Sequence, residues 1–385
     1  MTTSTEVVNR PSAANPWAAV SNWRELAVRA LRRMYLPEQR LFMYEIEKGP
    51  DGVLRPQGVS GRYTAIALIG LQTEPAEASA SILGAHSRED VFARLVEVTQ
   101  SSRDIGEVGL ALWAMRIAGY SGAEKVLDRL RAMDPVRYEC PTVELAWCLT
   151  ALVVPADAPT DEGLARAVYQ RLRGAYSPAA QLFRHWPPGS NAPWMRAHVT
   201  CFADWVYPVQ AFSYYHRATG DHEAIEIARS AAQRMCDLQG PAGQWWWHFD
   251  ARNGRVIEGY PVYAIHQDAM GPMALFALEE ACGVRHWDAV RKSCEWLIRS
   301  PELNGGSLVD LENDLIWRKV ARHEPNKLVR MIQASVSRFA PPLRAPGMDL
   351  LFRPGKIDWE SRPYHMGWLL HAFPAERVAR LAAGA

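Results

Sequence analysis

Two kinds of helix-forming segment alternate along this 385-residue chain, and that alternation restricts its architecture more than any other feature. The first kind is amphipathic and heavily charged: residues 22–35, 89–100, 122–133, 161–176, 221–239 and 285–300. Apolar side chains recur there at helical spacing, so each segment buries one stripe and turns its other face to water. The second kind is apolar nearly all round: residues 58–71, 104–120, 142–154, 200–220, 265–283 and 364–373. A helix without a polar face has to be enclosed. The order is amphipathic then apolar, six times over. This predicts an all-α fold, an (α/α)6 barrel in which six inner helices are wrapped by six outer ones. Irregular spacing between the pairs indicates a closed toroid rather than an open solenoid.

The barrel is expected to occupy residues 19–385 as one domain, behind a disordered N-terminal tail at 1–18. With 48% hydrophobic residues the chain has ample material for a core, which excludes a disordered protein. Its formal charge is +1, from 43 Lys+Arg against 42 Asp+Glu, so a general nucleic-acid or membrane-surface binder is excluded. No apolar run approaches the roughly eighteen residues of a membrane span. The first residues lack the apolar stretch of a secretory signal. The six cysteines form no CxxC pair, so a structural zinc site is not expected. They read as small buried hydrophobes in a reduced, cytoplasmic protein, and no metal or cofactor is predicted.

The connections locate a working face. Most links from an inner helix to the next outer one are short and carry a Gly, as at 218–222 and 282–286, although 72–88 is longer. Links in the other direction are long. Residues 40–56 predict a hairpin turning at Pro50-Asp51-Gly52, and 243–260 another turning at Asn253-Gly254. Residues 177–199 and 301–363 complete the set. All of these open on one mouth, where the inner helices begin, and long loops on a rigid scaffold are where function concentrates.

Polar residues gather at the same ends of the inner helices: Ser60, Arg62 and Tyr63; Asp104 and Glu107; Thr142 and Glu144; Thr200, Asp204 and Tyr207; His266, Gln267 and Asp268; Tyr364 and His365. Each alone fits ordinary capping or dipole complementation. Together they put carboxylates, His and Tyr around one pit that a purely structural barrel would fill with aliphatics. Chain order sets Asp204 beside Asp268, and joins Tyr63 to His365 where the ring closes. Among 15 Trp, three stand together as Trp245-Trp246-Trp247. On a strand, Trp245 and Trp247 would share a face and form a platform for a ligand ring. Trp205 and Tyr263 lie near the mouth, and Arg62, Arg184, Arg196 and Arg353 supply cations.

The alternating pattern resembles the (α/α) toroid superfamily, which holds six-hairpin glycosidases, polysaccharide lyases, sugar epimerases and the terpenoid-cyclase/prenyltransferase group. The match spans most of the chain. One local motif, Gln239-Gly240-Pro241-Ala242-Gly243-Gln244-Trp245, is similar to the QxxxGxW repeat of squalene-cyclase-like proteins. The DxDD acid motif and the DDxxD motif of that branch are absent from the sequence. The resemblance therefore implies a carbohydrate-active enzyme acting on an oligosaccharide or other small molecule. A glycosidase needs paired carboxylates, for which Asp204 and Asp268 are the candidates and Glu107 the third; separations of about 5 Å mean retention and about 6.5–9.5 Å inversion. A uronate lyase or epimerase instead needs a Tyr or His to take the C5 proton and an Arg to hold the carboxylate. Tyr63, His266, His365, Arg62 and Arg196 are the candidates. Substrate contacts are expected from Asp104, Glu144, Trp205, Tyr207, Trp245, Trp247, Tyr263, Gln267 and Tyr364 as well. A terpenoid-cyclase-like enzyme and a non-catalytic glycan- or protein-binding barrel are the alternatives.

Overall fold

A computed structural model describes residues 15–158, 161–341 and 343–384. Its helices are α1 (Pro16–Met34), α2 (Gly61–Leu71), α3 (Ala76–Leu83), α4 (Arg88–Ser101), α5 (Ile105–Ile117), α6 (Ala123–Met133), α7 (Thr142–Val153) and α8 (Glu162–Arg173). They continue with α9 (Ala203–Thr219), α10 (His222–Asp237), α11 (Gly271–Cys282), α12 (Trp287–Arg299), α13 (Leu328–Phe339), α14 (Met348–Leu351), α15 (Pro363–Ala372) and α16 (Ala375–Ala382). The six apolar segments become α2, α5, α7, α9, α11 and α15, which pack on one another in chain order, with α15 returning to α2. The six amphipathic segments become α1, α4, α6, α8, α10 and α12. The fold is an (α/α)6 toroid.

The two helix types bury surface as their composition dictates. In α6 only Val126, Leu127, Leu130 and Met133 are buried, one stripe at i, i+1, i+4 and i+7. In α5 every residue from Ile105 to Met115 is buried except Glu107. Ring closure depends on two glycines. A Cβ on Gly70 of α2 would stand 2.3 Å from the Gly367 carbonyl oxygen of α15, and one on Gly367 would stand 2.5 Å from that of Ile66. The first and last inner helices therefore meet backbone to backbone, a contact that any larger residue would pry open.

The long connections form short sheets at the mouth. Strand Leu41–Lys48 pairs with Leu54–Ser60 as the expected hairpin, and its far end pairs with Glu360–Ser361 just before α15. Strand His248–Asp250 lies between Val199–Cys201 and Val256–Glu258, which gives the second hairpin. Lys319–Arg322 joins Val262–Tyr263 to Pro354–Asp358.

Two expectations need correction, and a third element, the longer 72–88 link, gains a helix. The helix α1 starts at Pro16, capped by the Asn15 side chain, so the last residues of the predicted tail belong to the barrel. Residues 1–14 of that tail lie outside the described residues. The 72–88 link is occupied by α3. The Trp triplet precedes its strand, which starts only at His248, so Trp245 and Trp247 form no common platform. Among the described residues, no helix is long and apolar enough to cross a membrane.

Candidate active site

The mouth encloses a pit of about 270 Å³, lined among others by Arg62, Tyr63, Trp147, Tyr207, Trp247, Tyr263, His266, Arg318, Arg362 and Tyr364. Local sequence aims these groups inward. The Ser60 side chain accepts from the Tyr63 N–H at 3.1 Å and fixes the start of α2, which places Arg62 and Tyr63 in its first turn. A π-turn over His266–Met270 leads into α11. His266 and Met270, four residues apart, both face the pit, while Asp268, between them, turns to α15. Such turns are common at functional positions.

One wall is aromatic around His266. Its ring stacks on Trp247 with centroids 5.3 Å apart, and Tyr263 lies 4.9 Å away. Burial, helped by the charge of His365, pushes the His266 pKa down to about 3, so this imidazole is neutral. Its Nδ1 has no hydrogen-bond partner, and neither do the indole nitrogens of Trp147 and Trp247. Buried polar atoms are ordinarily satisfied, and these three unpartnered ones belong to residues that line the pit, whereas Trp205, Trp245 and Trp368 carry unpartnered indole nitrogens outside it.

A second wall is made of stacked tyrosines. Tyr63 lies 4.6 Å from Tyr364 and 5.3 Å from Tyr44 of the first hairpin, both stacked. Burial, together with the neighbouring Tyr364, holds the Tyr63 hydroxyl well above the usual tyrosine range, so it stays protonated at neutral pH.

The three arginines are held from behind by carboxylates. Arg62 contacts Asp104 at 2.5 Å and Glu144 at 2.9 Å, all through Nη2, and its guanidinium lies over Trp147 at 5.0 Å. Arg362 pairs with Glu45 at 2.6 Å and Glu360 at 2.8 Å. Arg318 pairs with Glu360 and lies 5.5 Å over Tyr263. Burial raises the Glu144 pKa, and Arg62 opposes that shift. No Asp or Glu lines the pit itself among the described residues.

The expected catalytic carboxylates thus lie outside the pit. Asp204 is fully buried and accepts from His185 Nδ1 at 3.0 Å, the Thr200 hydroxyl at 3.0 Å and the Cys201 N–H at 2.8 Å. Burial opposes its ionisation, but the His185 charge and these hydrogen bonds outweigh it and hold the carboxyl below its usual range. Asp268 is fully buried against His365 Nε2 at 2.8 Å. The two helices are neighbours as expected, yet each carboxylate is committed to its own histidine and faces away from the pit. Glu107 accepts from the Arg62 backbone N–H at 3.1 Å, and Asp104 caps α5.

Other expected contacts divide similarly. Tyr207, Tyr263, Tyr364 and Trp247 line the pit. Trp205 is a core residue stacked on Phe249, and Trp245 is buried against Phe202. Gln267 is structural, accepting from the Trp245 N–H and donating to the Tyr263 carbonyl oxygen, both at 3.0 Å. The ring closes through Tyr63 and Tyr364, with His365 behind them. Arg184, Arg196 and Arg353 are exposed and outside the pit. The cations that replace them, Arg318 and Arg362, were missed, as was Trp147. Arg362 had a signal, since it stands one residue ahead of the last inner helix, where the other candidates lie.

Among the described residues, one group offers three metal-type donors, His185, Cys201 and Asp204, with atoms within 4.8 Å of one another. Burial keeps the Cys201 thiol well above its usual range, and the Asp204 oxygens are already occupied. The group is satisfied as an ion pair and hydrogen-bond network. The QxxxGxW segment is a turn after α10, in which Gln239 donates to the Gly243 and Ala289 carbonyl oxygens at 3.0 and 2.9 Å.

No protein-family model matches the chain, and no curated protein does. Solved structures share the fold. An unsaturated glucuronyl hydrolase specific for heparin is similar at 13% identity and a TM-score of 0.58, over 95% of this chain and 97% of that one. Cellobiose 2-epimerase from Bacillus thermoamylovorans matches at 10% identity and 0.60, over 94% and 99%. A sugar epimerase from a ruminal bacterium matches at 11% and 0.58, over 94% and 99%. The likeness covers nearly the whole chain and is one of architecture.

Proposed function

We propose that this protein is a carbohydrate-active enzyme that removes the C5 proton of a uronic acid residue, as a lyase or an epimerase. The observation that carries the reading is the composition of the pit: three arginines, a neutral His with an unpartnered nitrogen, four tyrosines, and no carboxylate. Paired-carboxylate hydrolysis lacks both of its acids there. A terpenoid cyclase lacks its isolated proton donor, and three guanidiniums would have to be desolvated beside a hydrocarbon. Proteins of known structure with this fold include a glucuronyl hydrolase and two sugar epimerases, which is consistent with sugar chemistry but does not select the reaction.

Planar guanidinium forks suit the planar carboxylate of a uronate. Arg62, Arg318 and Arg362 would hold it and stabilise the enolate charge that develops when the C5–H bond breaks. The aromatic walls hold the sugar ring. His266 Nδ1 takes the proton, and the C5–H electron pair moves into the carboxylate system. Tyr63 then gives its proton either to the departing C4 oxygen, leaving a C4–C5 double bond, or to C5 from the other face. Arg362, which donates to the Tyr63 hydroxyl at 3.0 Å, stabilises the phenolate that results.

The test is incubation with a panel of uronic oligosaccharides in deuterated water. Elimination gives a conjugated double bond that absorbs in the ultraviolet, and epimerisation gives deuterium at C5. Hydrolysis without either signal would reject the proposal, as would ligand binding with no turnover on any sugar that the thermal melt shows to be bound.

A further inference from the structure

A second, larger cavity lies beside the pit. It encloses about 800 Å³, and part of its wall comes from segments that also line the pit. Pro261, Lys319 and Glu360 face the large cleft, while Tyr263, Arg318 and Arg362 face the pit. A substrate ring seated in the pit thus has this cleft as its neighbour.

The two cavities differ in their cations. Those of the pit are arginines, whereas the cleft is lined mainly by lysines. Lys319 is paired with Asp358, and Arg322 with Glu258. Lys48, Lys327, Arg330 and Lys356 form no ion pair among the described residues. Against these four stand two carboxylates outside any ion pair, Glu47 and Glu324, and Glu324 already accepts from the Val329 N–H at the start of α13. The cleft therefore carries an excess of uncompensated positive charge. Lys48 Nζ also lies 5.2 Å from the ring of Trp359, an indole 41% exposed, which sets a cation beside an accessible aromatic face.

An ammonium is a compact, strongly hydrated point charge that imposes no planar fork on its partner, so several of them around one cleft suit a multi-oxygen anion approached from different sides, such as a phosphate or sulfate. We infer that the cleft binds a phosphate or sulfate ester carried by the glycan, next to the ring held in the pit. The inference rests on the uronate reading for the neighbouring ring but makes its own prediction. Lys327 and Lys356 supply the charge, and Trp359 supports the substituted sugar.

Tryptophan fluorescence titrations with glucose 6-phosphate, glucose 6-sulfate and glucuronate test it. One of the two esters should bind in a salt-dependent way, and the one bound more tightly identifies the oxyanion. The double variant K327A/K356A alters two exposed side chains and should melt as wild type. It should lose at least about tenfold in ester affinity while binding glucuronate normally. The inference is overturned if neither ester binds, or if the double variant binds it unchanged. Ester binding that needs both lysines, without any glucuronate binding, would reject the uronate reading and leave the cleft assignment standing. Glucuronate binding without ester binding would do the reverse.

Discussion

Arg362 Nη1 donates to the Tyr63 hydroxyl at 3.0 Å, joining residues 299 positions apart in sequence. Tyr63 sits in the first turn of the first inner helix, and Arg362 precedes the last, so the bond spans the point where the ring closes. It couples the proposed acid to a fixed cation. Tyr63→Phe should leave the fold intact and lower kcat by about 10²–10⁴-fold, the usual contribution of a positioned proton donor. Steady-state rates on the uronate identified above measure this. A variant within threefold of wild type would remove Tyr63 from the mechanism.

His266 gives a prediction in pH. Its free-enzyme pKa of about 3 arises from burial and from His365. The acid limb of kcat/KM, which reports free enzyme, should therefore lie well below the ordinary histidine value of about 6.5. A bound carboxylate adds negative charge beside the ring and raises its pKa, so the acid limb of kcat should sit at higher pH than that of kcat/KM. Parallel profiles of the two constants decide the matter. Coincident limbs would contradict a base that meets the substrate carboxylate, and His266→Gln should abolish turnover.

The half-buried His185–Asp204 pair should act on stability and leave the chemistry alone. Asp204 raises the His185 pKa above its unfolded value near 6.5. The pair's stabilisation is then fully present below that pH and is lost as pH rises through the folded value. Asp204 itself has a depressed pKa, so its own contribution is lost only as pH falls through the acid range. His185→Gln should flatten the decline in melting temperature above about pH 6.5. Asp204→Asn should lower the melting temperature yet keep kcat within tenfold of wild type. A selective loss of kcat in a well-folded Asp204→Asn would restore it as a catalytic acid.

Gly367→Ala tests how the ring closes. The added carbon would stand 2.5 Å from the Ile66 carbonyl oxygen, part of a rigid helix backbone. Overpacking of this kind costs about 1–3 kcal/mol, which calorimetry would read as a melting point lowered by about 1–4 °C in a chain of this length. Ala at Gly384, whose Cβ position is open, is the control for handling the protein, although its positive φ of 74° adds backbone strain. An unchanged melting point for Gly367→Ala would mean that α2 and α15 separate at little cost.

The barrel was legible because helix amphipathicity is a local property. Whether a helix such as α6 exposes one face, or one such as α5 exposes none, is written in the order of apolar residues. The alternation then leaves few ways to enclose six fully apolar helices. The hairpins at 40–56 and 243–260 were legible for the same reason, from their turn residues. Both placed the mouth, and the positions at the starts of the inner helices gave Arg62, Tyr63, Tyr207, His266 and Tyr364.

Which side of a helix meets which neighbour was not legible, because it depends on rotation about the helix axis. Two residues apart in the turn His266–Met270, His266 goes to the pit and Asp268 to His365. Carboxylates looked catalytic in the sequence because their partners were invisible there. His185 lies 19 residues from Asp204 and His365 lies 97 from Asp268. The toroid, its working end and a set of residues around it follow from local order along the chain. Which groups face the pit depends on packing, since pairing a buried charge is a requirement met across space and not along the chain.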